Sequence, residues 1–214
     1  MITPRVAALA FAALLALPPQ TRAEITPPEA HFGFRMGSDG QLAGADAIER
    51  YFELVASQSD RVRIADLGPT TEGHRTIAAI ISAPENIRNL EAIRLANQRL
   101  ADPRTLTPDQ AKRLSASQQT VVAIGASIHA SEIGATQAAN ELLYSLTSTN
   151  DPSVLNVLRH VVVILIPSLN PDGHRLVVDW YQRTKGTSFE GGPMPWLYHR
   201  YAGQIGRASC RERV

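Results

Sequence analysis

Cysteine is all but missing: the 214 residues hold one, Cys210, close to the C-terminus. A single thiol excludes a disulfide framework and a cysteine-built metal site. Charge of one sign is missing as well, with 21 Lys and Arg against 20 Asp and Glu and a net charge of +1. No basic stripe runs along the chain, so electrostatics give no support for nucleic-acid binding. Long apolar runs are lacking too. The longest, Val6 to Leu17, falls short of the roughly 20 apolar residues that span a bilayer. Internal repeats and low-complexity tracts are absent.

The ends differ from what lies between them. Residues 1–23 carry Arg5, the short apolar run, Pro18-Pro19 and then Thr21-Arg-Ala23. A basic start, a brief hydrophobic core, helix-breaking prolines and small residues before a cut describe a secretory signal peptide. Cleavage is expected after Ala23, giving a secreted or periplasmic protein with no stable membrane anchor. Residues 205–214, Ile-Gly-Arg-Ala-Ser-Cys-Arg-Glu-Arg-Val, show no apolar periodicity and are similar to one translated frame of a common sequencing-library adapter. They are expected to be a non-native tail. Without that tail the net charge becomes −1, and without Arg5 and Arg22 it becomes −3.

Residues 24–204 can form one sizeable core, or a large part of one. Glu24 to Gly40, rich in Pro and Gly, reads as an entry arm over the surface. Ala45 to Ser57 places Ile48, Tyr51, Phe52 and Val55 on one helical face. Val62 to Leu67 and Thr76 to Ser82 read as strands connected by the turn-rich Gly68 to Gly73. Pro84 opens a helix expected to run through Leu100, and Thr107-Pro108 is an N-cap with proline at the first helical position. Thr120 to Ala126 is a short, uncharged β-rich run, and Ile133 to Leu146 is helical in pattern. Asp151-Pro152 is a second cap ahead of Val154 to Leu158. Val161 to Ile166 is continuously apolar, as a strand covered on both faces would be. Strands alternating with helices predict an α/β class fold.

Chemistry concentrates between Thr120 and Gly173. His129 and Glu132 stand three apart where a strand gives way to a helix. An imidazole on one side of that corner and a carboxylate on the other can converge on a divalent zinc ion. Taken alone, the pair also fits a strand-end histidine and a glutamate at the positive end of a helix. Asn170-Pro-Asp-Gly173 reads as a turn that ends the second strand and positions the loop after it. Glu72 to Arg75 reads as a hairpin connection. His160 reads as the start of a strand; His174 and His199 flank turn-like segments and are candidates only for roles behind a metal ligand or in a pocket wall, and all three are expected to be structural rather than ligating. Trp180, Trp196, Tyr198 and Tyr201 are candidates for a pocket wall or for capping the core.

Ile128-His-Ala-Ser-Glu-Ile-Gly-Ala-Thr-Gln137 resembles the first metal-ligand motif of the zinc carboxypeptidases, and Leu165-Ile-Pro-Ser-Leu-Asn-Pro-Asp-Gly173 is similar to that family's strand-and-turn segment. Ser38-Asp-Gly40, Tyr51-Phe52, Gly68 to Gly73, Ser82 to Asn86 and Gly191 to Gly203 extend the likeness to a bacterial branch, over about Pro28 to Gln204. The resemblance implies a mixed β-sheet sandwiched by helices, of which this chain holds the N-terminal part, leaving an open sheet edge. It implies Zn2+ held by His129 and Glu132, with a third ligand histidine and a general-base glutamate downstream of Gln204. The family's Asn-Arg substrate motif would follow Gly203. Arg183 lies near the family's oxyanion arginine, although related sequences often place that arginine directly after the tyrosine, where this chain has Gln182. The implied activity is hydrolysis of C-terminal peptide bonds, on peptides with a free C-terminus. Alternatives are an inactive binding domain of the same fold, and a zinc amidase or deacylase on cell-wall or small acyl substrates. The chain as it stands is expected to have little or no activity, lacking one ligand and the base.

Overall fold

Val161–Ile166 (β4) forms the middle of the sheet, as its unbroken apolar run requires. It pairs antiparallel with Arg75–Ile81 (β2) and parallel with Thr120–Gly125 (β3). Val62–Pro69 (β1) completes a four-stranded sheet of order β1-β2-β4-β3 by pairing antiparallel with β2. The computed structural model describes residues 24–194; the expected signal peptide, the tail, Trp196, Tyr198, His199 and Tyr201 lie outside them. Successive residues of a strand face opposite sides. Ile77, Ala79, Ile81, Val163 and Leu165 therefore share one face and enter the main core, while Ala78 and Val162 are buried on the other. The mixed α/β class is as expected.

Among the described residues, eight α-helices accompany the sheet: Pro28–Phe32 (α1), Ala45–Gln58 (α2), Pro84–Arg88 (α3), Leu90–Ala101 (α4), Pro108–Ser117 (α5), Ile133–Ser148 (α6), Pro152–His160 (α7) and Pro171–Thr184 (α8). α2 buries Ile48, Tyr51, Phe52 and Val55, the four residues its periodicity selects, and packs on α6, β1 and α8. A fully buried Leu or Phe side chain contributes about 1.5–3 kcal/mol. This stripe, together with Leu143 and Leu165 at 0 and 1% exposure, accordingly anchors the domain.

Four expectations need correction. The N-terminal arm is docked against the helices: Ile25 is buried, Tyr51 Oη donates to Thr26 O at 3.0 Å, and His31 Nε2 reaches Ala47 O at 3.1 Å. Apolar Ile25, Phe32 and Phe34 gain more by packing than the Pro-rich composition suggests. The helix from Pro84 is two helices, broken at Asn89, which leaves the helical region at φ −109°, ψ 18° and donates its side-chain amide to Glu85 O. His160 ends α7 rather than opening a strand, with Nδ1 2.8 Å from Asn156 O. Asn170-Pro-Asp-Gly173 starts a 14-residue helix: Asn170 accepts from the Gly173 amide at 3.0 Å, and Pro171 occupies the first turn. Asx side chain plus proline is turn chemistry and helix-start chemistry alike, and the apolar spacing of Val178 and its neighbours decides for the helix.

Candidate metal centre

β3 delivers the chain to the site. Past its last residue, the Ala126 amide still donates to Ile166 O at 3.0 Å, and Ala126 O accepts from the Leu169 amide at 2.8 Å. The turn that follows is thus fastened to the end of the central strand. Ser127 then adopts φ +51°, the one non-glycine among the described residues with positive φ. Such a conformation costs a residue with a β-carbon on the order of 1 kcal/mol. It reverses the chain so that residues 128–132 fold back toward the start of α6.

Within that turn His129 and Glu132 meet. His129 Nδ1 lies 2.8 Å from Glu132 Oε1, and the His129 amide donates to Glu132 Oε2 at 3.1 Å. The Glu132 amide donates back to His129 O at 3.0 Å. The two side chains remain open to solvent, at 32 and 47% exposure. The imidazole of His129, with the amide of the same residue, holds the Glu132 carboxyl below the usual glutamate range. Glu132 is the N-cap residue of α6, yet its carboxylate makes no cap bond to the helix. A side-chain cap there is worth about 1 kcal/mol. The carboxylate is spent on the histidine instead, an arrangement that serves the pair rather than the helix.

The donor set suits zinc: an imidazole nitrogen and a carboxylate oxygen, both accessible and already adjacent. Tetrahedral bonds of about 2.1 Å need donors roughly 3.4 Å apart, so a small opening of the pair would admit the ion. Among the described residues no group of three His, Cys, Asp or Glu side chains could hold a metal; the chain's described part contributes two donors.

The other candidates lie elsewhere. His174 is buried in α8 at 1% exposure, with Nε2 2.9 Å from Ala43 O, and burial holds its pKa below the ordinary imidazole value. Arg183 is exposed in the last turn of α8, where Nε donates to Asp179 O at 3.2 Å. It stands ten residues beyond Gly173, roughly 15 Å along the helix, and its guanidinium bonds within its own helix. Trp180 is half-buried on the same helix. A cleft of about 910 Å³, lined among others by His31, Arg50, His74, Asp172 and Arg175, includes neither His129 nor Glu132.

Two features escaped the sequence reading. The hairpin tip is more than a connection, because Asp172 in the first turn of α8 ties it down. Asp172 Oδ1 lies 2.9 Å from His74 Nδ1 and accepts from Thr70 Oγ1 at 2.7 Å, while Oδ2 accepts from the Glu72 amide at 3.1 Å. Burial pushes the Asp172 carboxyl up, and these bonds outweigh it, leaving it below the ordinary range. Residues 100 apart in sequence make this contact, and no local pattern announces it. The second feature is Ser127, whose neighbours in sequence give no sign of its backbone.

The zinc carboxypeptidase family model matches residues 48–194. No curated protein matches the chain. Similar solved structures include thrombin activatable fibrinolysis inhibitor, at 14% identity and TM-score 0.44, covering 68% of this chain and 30% of that one. Carboxypeptidase A from Helicoverpa armigera gives 17% identity and TM-score 0.45, with 70 and 28% coverage. A metallo-carboxypeptidase from Burkholderia cenocepacia gives 19% and 0.40, with 58 and 26% coverage. The matched part of this chain thus spans less than a third of the length of these structures.

Proposed function

Because the chain belongs to the zinc carboxypeptidase family, we propose that it forms part of a zinc-dependent metallocarboxypeptidase that removes residues from the C-terminus of peptides. The observation that carries the reading is the 2.8 Å approach of His129 Nδ1 and Glu132 Oε1 on a turn pinned to the sheet. These two residues would hold the zinc ion, which when bound supplies a Lewis acid for the scissile carbonyl and an acidified water. His129 and Glu132 keep their donor atoms at the end of β3, facing solvent from which a peptide can approach. Gly173, against Ala130, brings the first turn of α8 to the back of the same turn. Arg183, whose Nε bonds to Asp179 O of its own helix, is the candidate to stabilise the oxyanion and takes no part in holding the ion. Export follows from residues 1–23 as part of the same proposal.

Zinc content measured by elemental analysis tests the reading, together with release of C-terminal amino acids by the full-length protein. Stoichiometric zinc is expected, lost in His129→Ala and Glu132→Ala, with activity abolished by a chelator. Folded His129→Ala and Glu132→Ala proteins that retain full zinc would end the proposal.

A further inference from the structure

Behind the metal-binding turn lies a chain of hydroxyl groups with only one consistent direction. Ser127 Oγ is 2.6 Å from the carbonyl oxygen of Glu132 and 2.6 Å from Thr136 Oγ1. A carbonyl cannot donate, so the Ser127 proton must go to Glu132 O. Thr136 must then donate to Ser127. Thr136 is fully buried in the first turn of α6, and its own carbonyl accepts from Asn140 Nδ2 at 3.0 Å. Ser127 is buried as well, at 4% exposure. The relay therefore runs from the body of α6, through two hydroxyls, to the main chain of the residue whose carboxylate faces His129.

The backbone makes the serine informative. At φ +51° glycine would route the chain without strain. What serine adds over glycine is the hydroxyl, and both capacities of that hydroxyl are used.

We propose that Ser127 is a positioning residue for the metal centre: held by Thr136, it clamps the Glu132 carbonyl and so fixes the turn on which His129 and Glu132 face each other. This rests on the metal-centre reading above. Ser127 touches neither donor atom; it acts through the Glu132 main chain, to which the His129 carbonyl is also joined by the Glu132 amide. Groups one step removed from a metal commonly alter its affinity 10–100-fold when replaced.

The test is zinc affinity of the full-length protein by competition with a chromophoric chelator, alongside the absorption spectrum of the Co2+-substituted form. Ser127→Gly relieves the backbone strain and removes the hydroxyl. The relieved strain offsets part of the cost of the lost hydrogen bonds, so the metal-free protein should remain folded while zinc affinity falls about 10–100-fold and the Co2+ bands change. Thr136→Ser keeps the donor and should preserve affinity; Thr136→Val removes it and should reproduce the loss. A Ser127→Gly protein with unchanged affinity and unchanged Co2+ spectrum would overturn the positioning role and leave the metal centre standing. An unsubstituted protein that binds no zinc would overturn both. Should Thr136→Val fail to fold, Ser127→Gly decides the matter alone.

Discussion

His174 shows how burial can govern a side chain whose sequence neighbours suggest a turn. Expected beside a turn, it is sealed inside α8 with its Nε2–H donated to the Ala43 carbonyl. Its Nδ1 has no partner among the described residues, so protonation would bury an unpaired cation. Burial depresses its pKa below the ordinary 6.5. The unfolded chain therefore takes up a proton that the folded one refuses, and stability falls as pH drops from 6.5 toward the folded value. The thermal midpoint should decline between pH 7 and 5.5. In His174→Gln the midpoint should start lower at neutral pH and stay flat across that interval. An equal decline in both proteins would assign the pH response to other groups.

At the level of elements, strong local chemistry could be read from sequence and long-range chemistry could not. The N-cap expected at Thr107 formed, and Gln110 completes it as a capping box: Gln110 N donates to Thr107 Oγ1 at 3.3 Å, and Thr107 N to Gln110 Oε1 at 2.9 Å. The α2 stripe and the buried β4 strand followed from periodicity alone. The break at Asn89 did not, because a single residue leaving the helical region costs little and no proline or glycine marks it. Nor did the Asp172 latch on the hairpin, which exists only once β1, β2 and α8 are assembled. Of the centre, His129 and Glu132 were visible as residue types at a strand–helix corner, whereas the relay through Ser127 and Thr136 depends on a φ angle that serine gives no reason to expect. α5 allows a clean check on local effects, since it buries no residue. Thr107→Ala should cost that helix about 1 kcal/mol. Amide exchange should quicken over Pro108–Ser117 while the global midpoint barely moves; a large drop in the midpoint would show that α5 is coupled to the core after all.

For the whole molecule, the decisive fact is which strand lies outermost. β3 carries the candidate site at its end, stands at the edge of the sheet among the described residues, and all six of its residues are exposed there, with Val121, Val122 and Ile124 at 37–41%. An uncharged, apolar edge of this kind invites pairing with another chain. The 214-residue chain should self-associate on concentration, seen by light scattering. Val122→Lys should suppress that without lowering the thermal midpoint; undiminished association would place the sticky surface elsewhere.

The fit between Gly173 and Ala130 bears on how the centre tolerates change. A β-carbon at position 173 would come within 2.7 Å of the Ala130 methyl and 2.7 Å of the Asn170 amide. A single added methyl group would therefore pry at two joints together, unseating the latch of one helix and shoving the bend that presents the imidazole. Residue 173 acts as a shim of zero thickness, and the clearance of the whole corner is set by an atom that is not there.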